Sequence, residues 1–493
     1  MKKILCIVLA VCILVCLPIL AACSPNKLRD AAKKADSYEI VAAYDPETHI
    51  LSASQTVTMT NRSGNAFQSV KFHIYANQYR EGASTPVVPS VYKAKAYPNG
   101  DSYGDITFDS VKVNGTPVAY TIEGKDMDIL SAPLSEELFP DQKVTVEMTY
   151  QIQLANIMHR LGYTDNVVNL GNFYPILCNI ANDNYDCSPY YNIGDPFVSE
   201  VANYNVSITL PEEYTVASSG NLKEATPATS GVVTYCYEAQ AIRDFAFVLS
   251  TKFNKLTHTV GNTQVNYYYY NDQNSEDSLA TAVGMLEYLN KNVGEYPYEQ
   301  YSVCESDFCY GGMEYPSLTM VTSGSQSYKE AVAHETAHQW FYGIIGSDQI
   351  ANAWQDEGLT DFITFMYLDE AGVMPLTTAI KANTKNYVSY VDVLTNYYDH
   401  VDTSFRALDQ YKNDNEYVIF TYIKGSLLFN TLYETMGKTK FLKALSNYFD
   451  QAQFTVATPQ TMINSFTKVG GNELGKIFAD FIEGKEIISK VFN

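Results

Sequence analysis

Two histidines four positions apart, with a glutamate beside the first, form His334-Glu335-Thr336-Ala337-His338, and a second glutamate follows nineteen positions later in Trp354-Gln355-Asp356-Glu357-Gly358. On a helix, residues i and i+4 lie on one face, so two neutral imidazole nitrogens can take two corners of a zinc tetrahedron. The interval to Glu357 leaves room for that helix to end, for a short connection, and for a second helix that returns its carboxylate as the third ligand. The fourth corner is left to water, and Glu335, beside a ligand but not itself bound, is placed to take a proton from it. A histidine pair at this spacing is often only packing. Against that, the 493 residues contain seven histidines, two of them are these, and Glu357 opens its own helical start. One zinc ion per chain is expected, held by His334, His338 and Glu357.

Two further segments bear on the reaction. Gly311-Gly312-Met313-Glu314-Tyr315-Pro316 precedes the first histidine by about twenty residues. Its glycines admit another backbone closely, and an extended glycine-rich edge can take a peptide as an added strand. Glu314 would then face one end of that peptide, where a carboxylate can hold a free amino group. Read alone, the segment is equally a turn with a solvated glutamate. In Tyr422-Ile423-Lys424-Gly425-Ser426, a tyrosine hydroxyl near zinc would donate to an oxyanion, but among forty tyrosines chemistry alone does not select Tyr422. Asp361, one helical turn after Glu357, is placed to accept from a ligand histidine and fix its tautomer.

The elements that must carry these residues divide into two textures. Residues 38–44, 49–60, 68–75, 143–154, 205–210, 232–237 and 245–250 alternate or run in Val, Ile, Thr and Tyr, and Asn114-Gly115 signals a hairpin. From about residue 278 the period turns helical, over 279–293, 328–344, 359–370, 376–390, 418–436 and 441–451, with Thr458-Pro459 as a cap and first position. Strands at 265–270 and 302–308 predict a small sheet beside those helices. The fold class is therefore multidomain: an antiparallel β domain over 38–255, then a mainly helical α+β catalytic domain over 256–493.

Ahead of both lies a leader. Lys2 and Lys3, an apolar run from Ile4 to about Leu20, and Leu20-Ala21-Ala22-Cys23 give the pattern of a signal peptide over 1–22 with a lipidated Cys23, and 23–37 reads as a tether. A plain signal peptide or an uncleaved anchor is the alternative. Either way the protein is expected outside the cytoplasm, with the membrane as partner through Cys23. Loss of Lys2 and Lys3 takes the net charge from −22 to −24, which repels phosphate backbones, so nucleic acid is not an expected partner. Five cysteines remain beyond the leader, Cys178, Cys187, Cys236, Cys304 and Cys309; the first two and the last two are close enough in sequence to pair, and the pairing stays open.

The Gly-Met-Glu segment, the His-Glu ligand set with its eighteen-residue gap and the Tyr-x-Lys-Gly segment occur together in the order and spacing of one family. The chain resembles the gluzincin aminopeptidases of the aminopeptidase N (membrane alanyl aminopeptidase) type, to which the leukotriene hydrolases also belong. The likeness extends to Phe72-His73-Ile74-Tyr75-Ala76-Asn77, Gly171-Asn172-Phe173-Tyr174-Pro175 and Arg243-Asp244-Phe245-Ala246-Phe247. It implies a saddle-like β domain, then a thermolysin-like domain, in a short bacterial lipoprotein form without the large C-terminal helical domain. By resemblance, His334, His338 and Glu357 are the zinc ligands, Glu335 the general base, Tyr422 the transition-state tyrosine, and Gly311, Gly312, Met313 and Glu314 the peptide-binding segment, with Glu314 holding the amino terminus. One position departs: the residue after that glutamate is usually asparagine and here is Tyr315, which implies less strict amino-terminal specificity. The expected activity is removal of N-terminal residues from peptides with a free amino terminus. A zinc endopeptidase, which would share every metal residue, and a non-catalytic peptide-binding surface lipoprotein are the alternatives. An epoxide hydrolase role exists within the family, but no residue here points to it.

Overall fold

The computed structural model describes residues 24–227, 231–322, 324, 328–398, 401–486 and 488. The leader and Cys23 lie outside the described residues. Where the sequence suggests a tether there is instead a helix, α1 (Ser24–Ala32), followed by a strand from Asp36. Its Leu28, Ala31 and Ala32 pack on the catalytic core, and Lys27 Nζ donates to the Asp450 carbonyl at 2.7 Å. A polar, charged segment hides this because only one narrow apolar stripe is needed to dock a two-turn helix.

The first half is built on an eight-stranded sheet in the order 221–227, 232–242, 202–211, 36–45, 50–60, 143–153, 105–113, 116–117. Side chains alternate as a half-buried sheet requires: Tyr38, Ile40, Ala42 and Tyr44 point into the core while their neighbours are exposed. Pairing is antiparallel except between 36–43 and 202–209, which run parallel, so the expected antiparallel sheet is corrected at one seam. The connection between those two strands traverses most of the domain, which is what a parallel pairing needs. Two four-stranded sheets, one containing Phe67–His73 and the other Phe247–Ser250, and a two-stranded ribbon over 180–185 also belong to this half.

The next sheet begins at Asn254. Its five strands run 254–260, 263–269, 300–306, 318–322 and 312–313, with Gly312–Met313 at the edge. Against it pack α2 (Ser275–Asn292) and α3 (Tyr328–Ala337), and on these helices and on one another pack α4 (Glu357–Glu370), α5 (Leu376–Thr395), α6 (Lys424–Met436), α7 (Lys438–Ala452), α8 (Pro459–Gly470) and α9 (Glu473–Ile482). Thr458 caps α8 by accepting from the Thr461 amide, with Pro459 at the first position. The first half's apolar core continues into this domain through Cys304, Phe308, Met313, Tyr315, Leu318 and Met320, so the edge strand is packed against the β domain. Among the described residues the cysteines are free thiols; Cys178 and Cys187 Sγ lie 4.0 Å apart.

Two predicted helices are shorter than their periodicity. Residues 328–344 are helical only to Ala337, and 339–344 form an irregular turn with Phe341 and Tyr342 off helical geometry. Residues 418–436 divide into a short helix (Asp414–Val418), a wide turn (Ile419–Ile423) and α6. Both breaks sit at the site.

Candidate active site

α3 and α4 cross so that His334, His338 and Glu357 converge. His334 Nε2 lies 3.2 Å and His338 Nε2 3.0 Å from Glu357 Oε2, and the two Nε2 atoms are 3.0 Å apart. The other ring nitrogens decide what this means. His338 Nδ1 faces the Phe341 carbonyl at 3.0 Å, and His334 Nδ1 faces Asp361 Oδ1 at 3.1 Å. Each Nδ1 is placed to carry the proton, so that in the neutral rings both Nε2 atoms are bare lone pairs aimed at a carboxylate oxygen. Three acceptors that close, with no proton among them, repel unless a cation lies between. Their separations approach the edge of a tetrahedron built on zinc bonds of about 2.0–2.1 Å. The residues therefore fit a zinc ion. The irregular turn after α3 has its reason here, since only a chain that leaves the helix at Phe341 can turn a carbonyl back to His338.

Around this triangle is a cleft of about 510 Å³ whose lining includes Arg160, Asp195, Gly311, Gly312, Glu335 and Tyr422. Glu335 Oε2 is buried and accepts no hydrogen bond among the described residues. Burial pushes the Glu335 carboxyl up to about 7, with the Glu357 and Asp195 carboxylates adding to the shift and the two imidazoles opposing it. Gly312 lets it sit there: a Cβ at that position would lie 2.5 Å from Glu335 Oε1. Tyr422 is carried by the wide turn ahead of α6, and its hydroxyl donates to Glu357 Oε1 at 2.6 Å. α4 and α6 are held at one spacing by two glycines, because a Cβ on Gly358 would fall 2.6 Å from Gly425 Cα.

Behind the triangle the carboxylates of Asp195, Glu314 and Glu357 come within 4.8 Å of one another, all buried. Glu314 is pushed well above the carboxylate range by burial and by its acidic neighbours, against the pull of His338. Gln349 Nε2 approaches Glu314 Oε1 at 3.5 Å. Asp195 is paired with Arg160. Such a corner favours a cation.

The predicted ligands, Glu335, Glu314, Tyr422 and the two glycines are thus brought to one place. Met313 is buried beneath Arg160, whose Nε lies 3.1 Å from its sulfur, and does not line the cleft. Tyr315, the departure from the family's usual asparagine, is turned toward the β domain, its hydroxyl 2.7 Å from Asn172 Oδ1. Asp195 and Arg160 were not anticipated. A Gly194-Asp195-Pro196 turn and an Arg after His159 carry no spacing tied to the metal motif, so only the fold brings them in.

Residues 278–481 match the Peptidase family M1 domain. Over that stretch the chain is similar to the M1 peptidases. The described residues have the two-domain M1 zinc metallopeptidase fold: the chain superposes on such an enzyme from Deinococcus radiodurans with a TM-score of 0.68 at 16% identity, covering 92% of this chain and 95% of that one. A mutant of that protein bound to a Tyr-Ser-Ala substrate superposes with a TM-score of 0.66, again at 16% identity and with the same coverage. Curated relatives are matched over shorter stretches. The leukotriene A-4 hydrolase of Xenopus laevis is 35% identical over 85 residues, 16% of this chain and 14% of its own. Aminopeptidase N of Lactococcus lactis is 22% identical over 266 residues, 48% of this chain and 30% of its own. The chain spans well under half the length of the curated relatives it matches. The matched stretch contains the ligand triangle, Glu335, Glu314 and Tyr422 together.

Proposed function

We propose that the protein is a zinc aminopeptidase. The observation that carries this is the pair of acids, Glu314 and Asp195, buried immediately behind the three metal donors: a substrate's ammonium group seated there leaves room for only its first residue before the metal. When bound, zinc supplies a Lewis acid that polarises the scissile carbonyl and makes water a nucleophile near neutral pH. His334, His338 and Glu357 hold it. Glu335 Oε2 takes the proton of the attacking water and delivers it to the leaving nitrogen. Tyr422 turns its hydroxyl from Glu357 to the carbonyl oxygen as negative charge develops there. Gly311 and Gly312, on the sheet edge, offer their backbone to the peptide as an added strand.

The test is a panel of aminoacyl fluorogenic amides, each free and N-acetylated, assayed as purified, after chelation and after zinc add-back. Loss with chelator, recovery with zinc and strong preference for the free amine are expected; equal cleavage of acetylated peptides would make the enzyme an endopeptidase. No cleavage at all by zinc-loaded protein that still binds peptide would make it a binding protein.

The leader is the basis of a second proposal, that Cys23 is lipidated and anchors the enzyme outside the bacterial cytoplasm. Among the described residues no helix is long and apolar enough to cross a membrane. In cells, Cys23→Ala should move the protein from the membrane fraction to the soluble one; unchanged fractionation overturns the anchor.

A further inference from the structure

Glu314 has an unusual positioning problem. Its carboxylate lies among like charges, and among the described residues its Oε1 accepts one long hydrogen bond, 3.5 Å from Gln349 Nε2. So weak a tie leaves its direction to its own backbone and to the residues on either side. Both of those residues are gripped by the β domain. Met313 lies under Arg160, and Tyr315 passes its hydroxyl across the seam to Asn172 Oδ1 at 2.7 Å. Asn172 Nδ2 in turn donates to Asp244 Oδ2 at 2.7 Å, and Asp244 Oδ1 accepts from Tyr174 Oη and from the Phe245 amide, each at 2.7 Å. With Asp244 ionised it accepts only, and Asn172 then presents its amide nitrogen to Asp244 and its oxygen to Tyr315.

The local backbone is shaped to admit this contact. A Cβ on Gly171 would lie 2.0 Å from the Tyr315 hydroxyl, and Asn172 stands at φ +52°, a left-handed conformation that asparagine tolerates better than most residues. On its other face the same strip is clamped by the metal helix's neighbour Gln339, whose Nε2 donates to the Tyr315 carbonyl at 3.1 Å. Tyr315, Asn172 and Asp244 are all at most 3% exposed, so the chain of bonds operates out of water's reach.

We propose that Tyr315, Asn172 and Asp244 are positioning residues that aim Glu314 at the substrate's amino group, making the seam between the domains a determinant of exopeptidase specificity. Tyr315, the departure from the asparagine usual in the resembled family, is the residue through which the β domain reaches Glu314. The proposal rests on the aminopeptidase reading given above.

Tyr315→Phe deletes one oxygen and keeps the ring. On zinc-loaded full-length protein it is expected to raise KM for a free alanyl amide five- to tenfold, leave kcat within twofold and zinc stoichiometry unchanged, and shrink the preference for free over N-acetylated substrate by a similar factor. Asn172→Gly, which keeps the left-handed backbone, should do the same, and the double variant should be no worse than the poorer single one. If Tyr315→Phe fails to fold, Asn172→Gly carries the test. An unchanged KM and acetyl discrimination in the folded variant, with only a lower Tm, overturns the inference. Glu314→Gln separates the two levels: if it leaves KM unaltered, the reading of Glu314 as amine-binding fails; if it raises KM while Tyr315→Phe does not, only the positioning role fails.

Discussion

The two ends of the cleft are built on opposite principles. At the metal end, all three donors come from 24 consecutive residues, 334–357, on two helices that cross once. At the Glu314 end, the carboxylate lies near Asp195 and Gln349, and the strip that carries it is held by groups from residues 160, 172 and 339, drawn from both domains. The first end needs only local helix geometry to exist. The second exists only when the domains are docked, so its precision depends on the seam, whereas the metal triangle depends on α3, α4 and the turn between them.

Substitutions can be ranked by how sharply they separate these ends. The largest effect is expected from Glu335→Gln, which should lower kcat by about 10³-fold or more while zinc content, measured by elemental analysis, stays at one per chain; activity retained by the zinc-loaded variant would remove Glu335 as the base. Next, Tyr422→Phe should cost about 10²-fold in kcat with KM little changed. A defect confined to KM would move Tyr422 to the binding end. Asp361→Ala removes the acceptor that holds the His334 tautomer and should weaken zinc about 10- to 100-fold, read by competition with a chelator, without altering the preference for a free amino group.

The smallest effect probes the seam alone. Burial pushes Asp244 up to about 7, against the hydrogen bonds from Tyr174, Phe245 and Asn172. Between its ordinary value of 3.8 and about 7 the folded protein keeps a proton that the unfolded chain has released. Stability from this group therefore falls as pH rises through that window and levels off above it. Asp244→Asn abolishes that slope, so the variant's Tm relative to wild type should climb by a few degrees from pH 4.5 to pH 7.5; a flat difference in thermal melts would mean that Asp244 is ionised throughout.

The same contrast explains what the sequence could reveal. His334, His338 and Glu357 are legible because helical spacing alone sets their geometry, and the long strands at 36–45, 50–60 and 143–153 because alternation marks a half-buried sheet. The helix breaks at 339–344 and 419–423 are not, since a side-chain bond such as His338 Nδ1 to the Phe341 carbonyl leaves no mark on periodicity. Tyr315 could be flagged as an exception to a pattern, but its partner Asn172 lies 143 positions away, and no local signal joins them. Asp195 and Arg160 escape for the same reason. The helix Ser24–Ala32 escapes for another: its burial is supplied by the domain it docks on.

The contact between Gly358 and Gly425 acts as a gauge block. With a would-be methyl on either residue only 2.6 or 2.7 Å from the other's Cα, the helices that bear Glu357 and the turn that bears Tyr422 are set at a clearance no side chain can occupy. A carbon atom added there is a shim. It would separate the third zinc donor from the tyrosine without touching either, so the tolerance of the chemistry is written into two hydrogens that face each other, one residue from Glu357 and three from Tyr422.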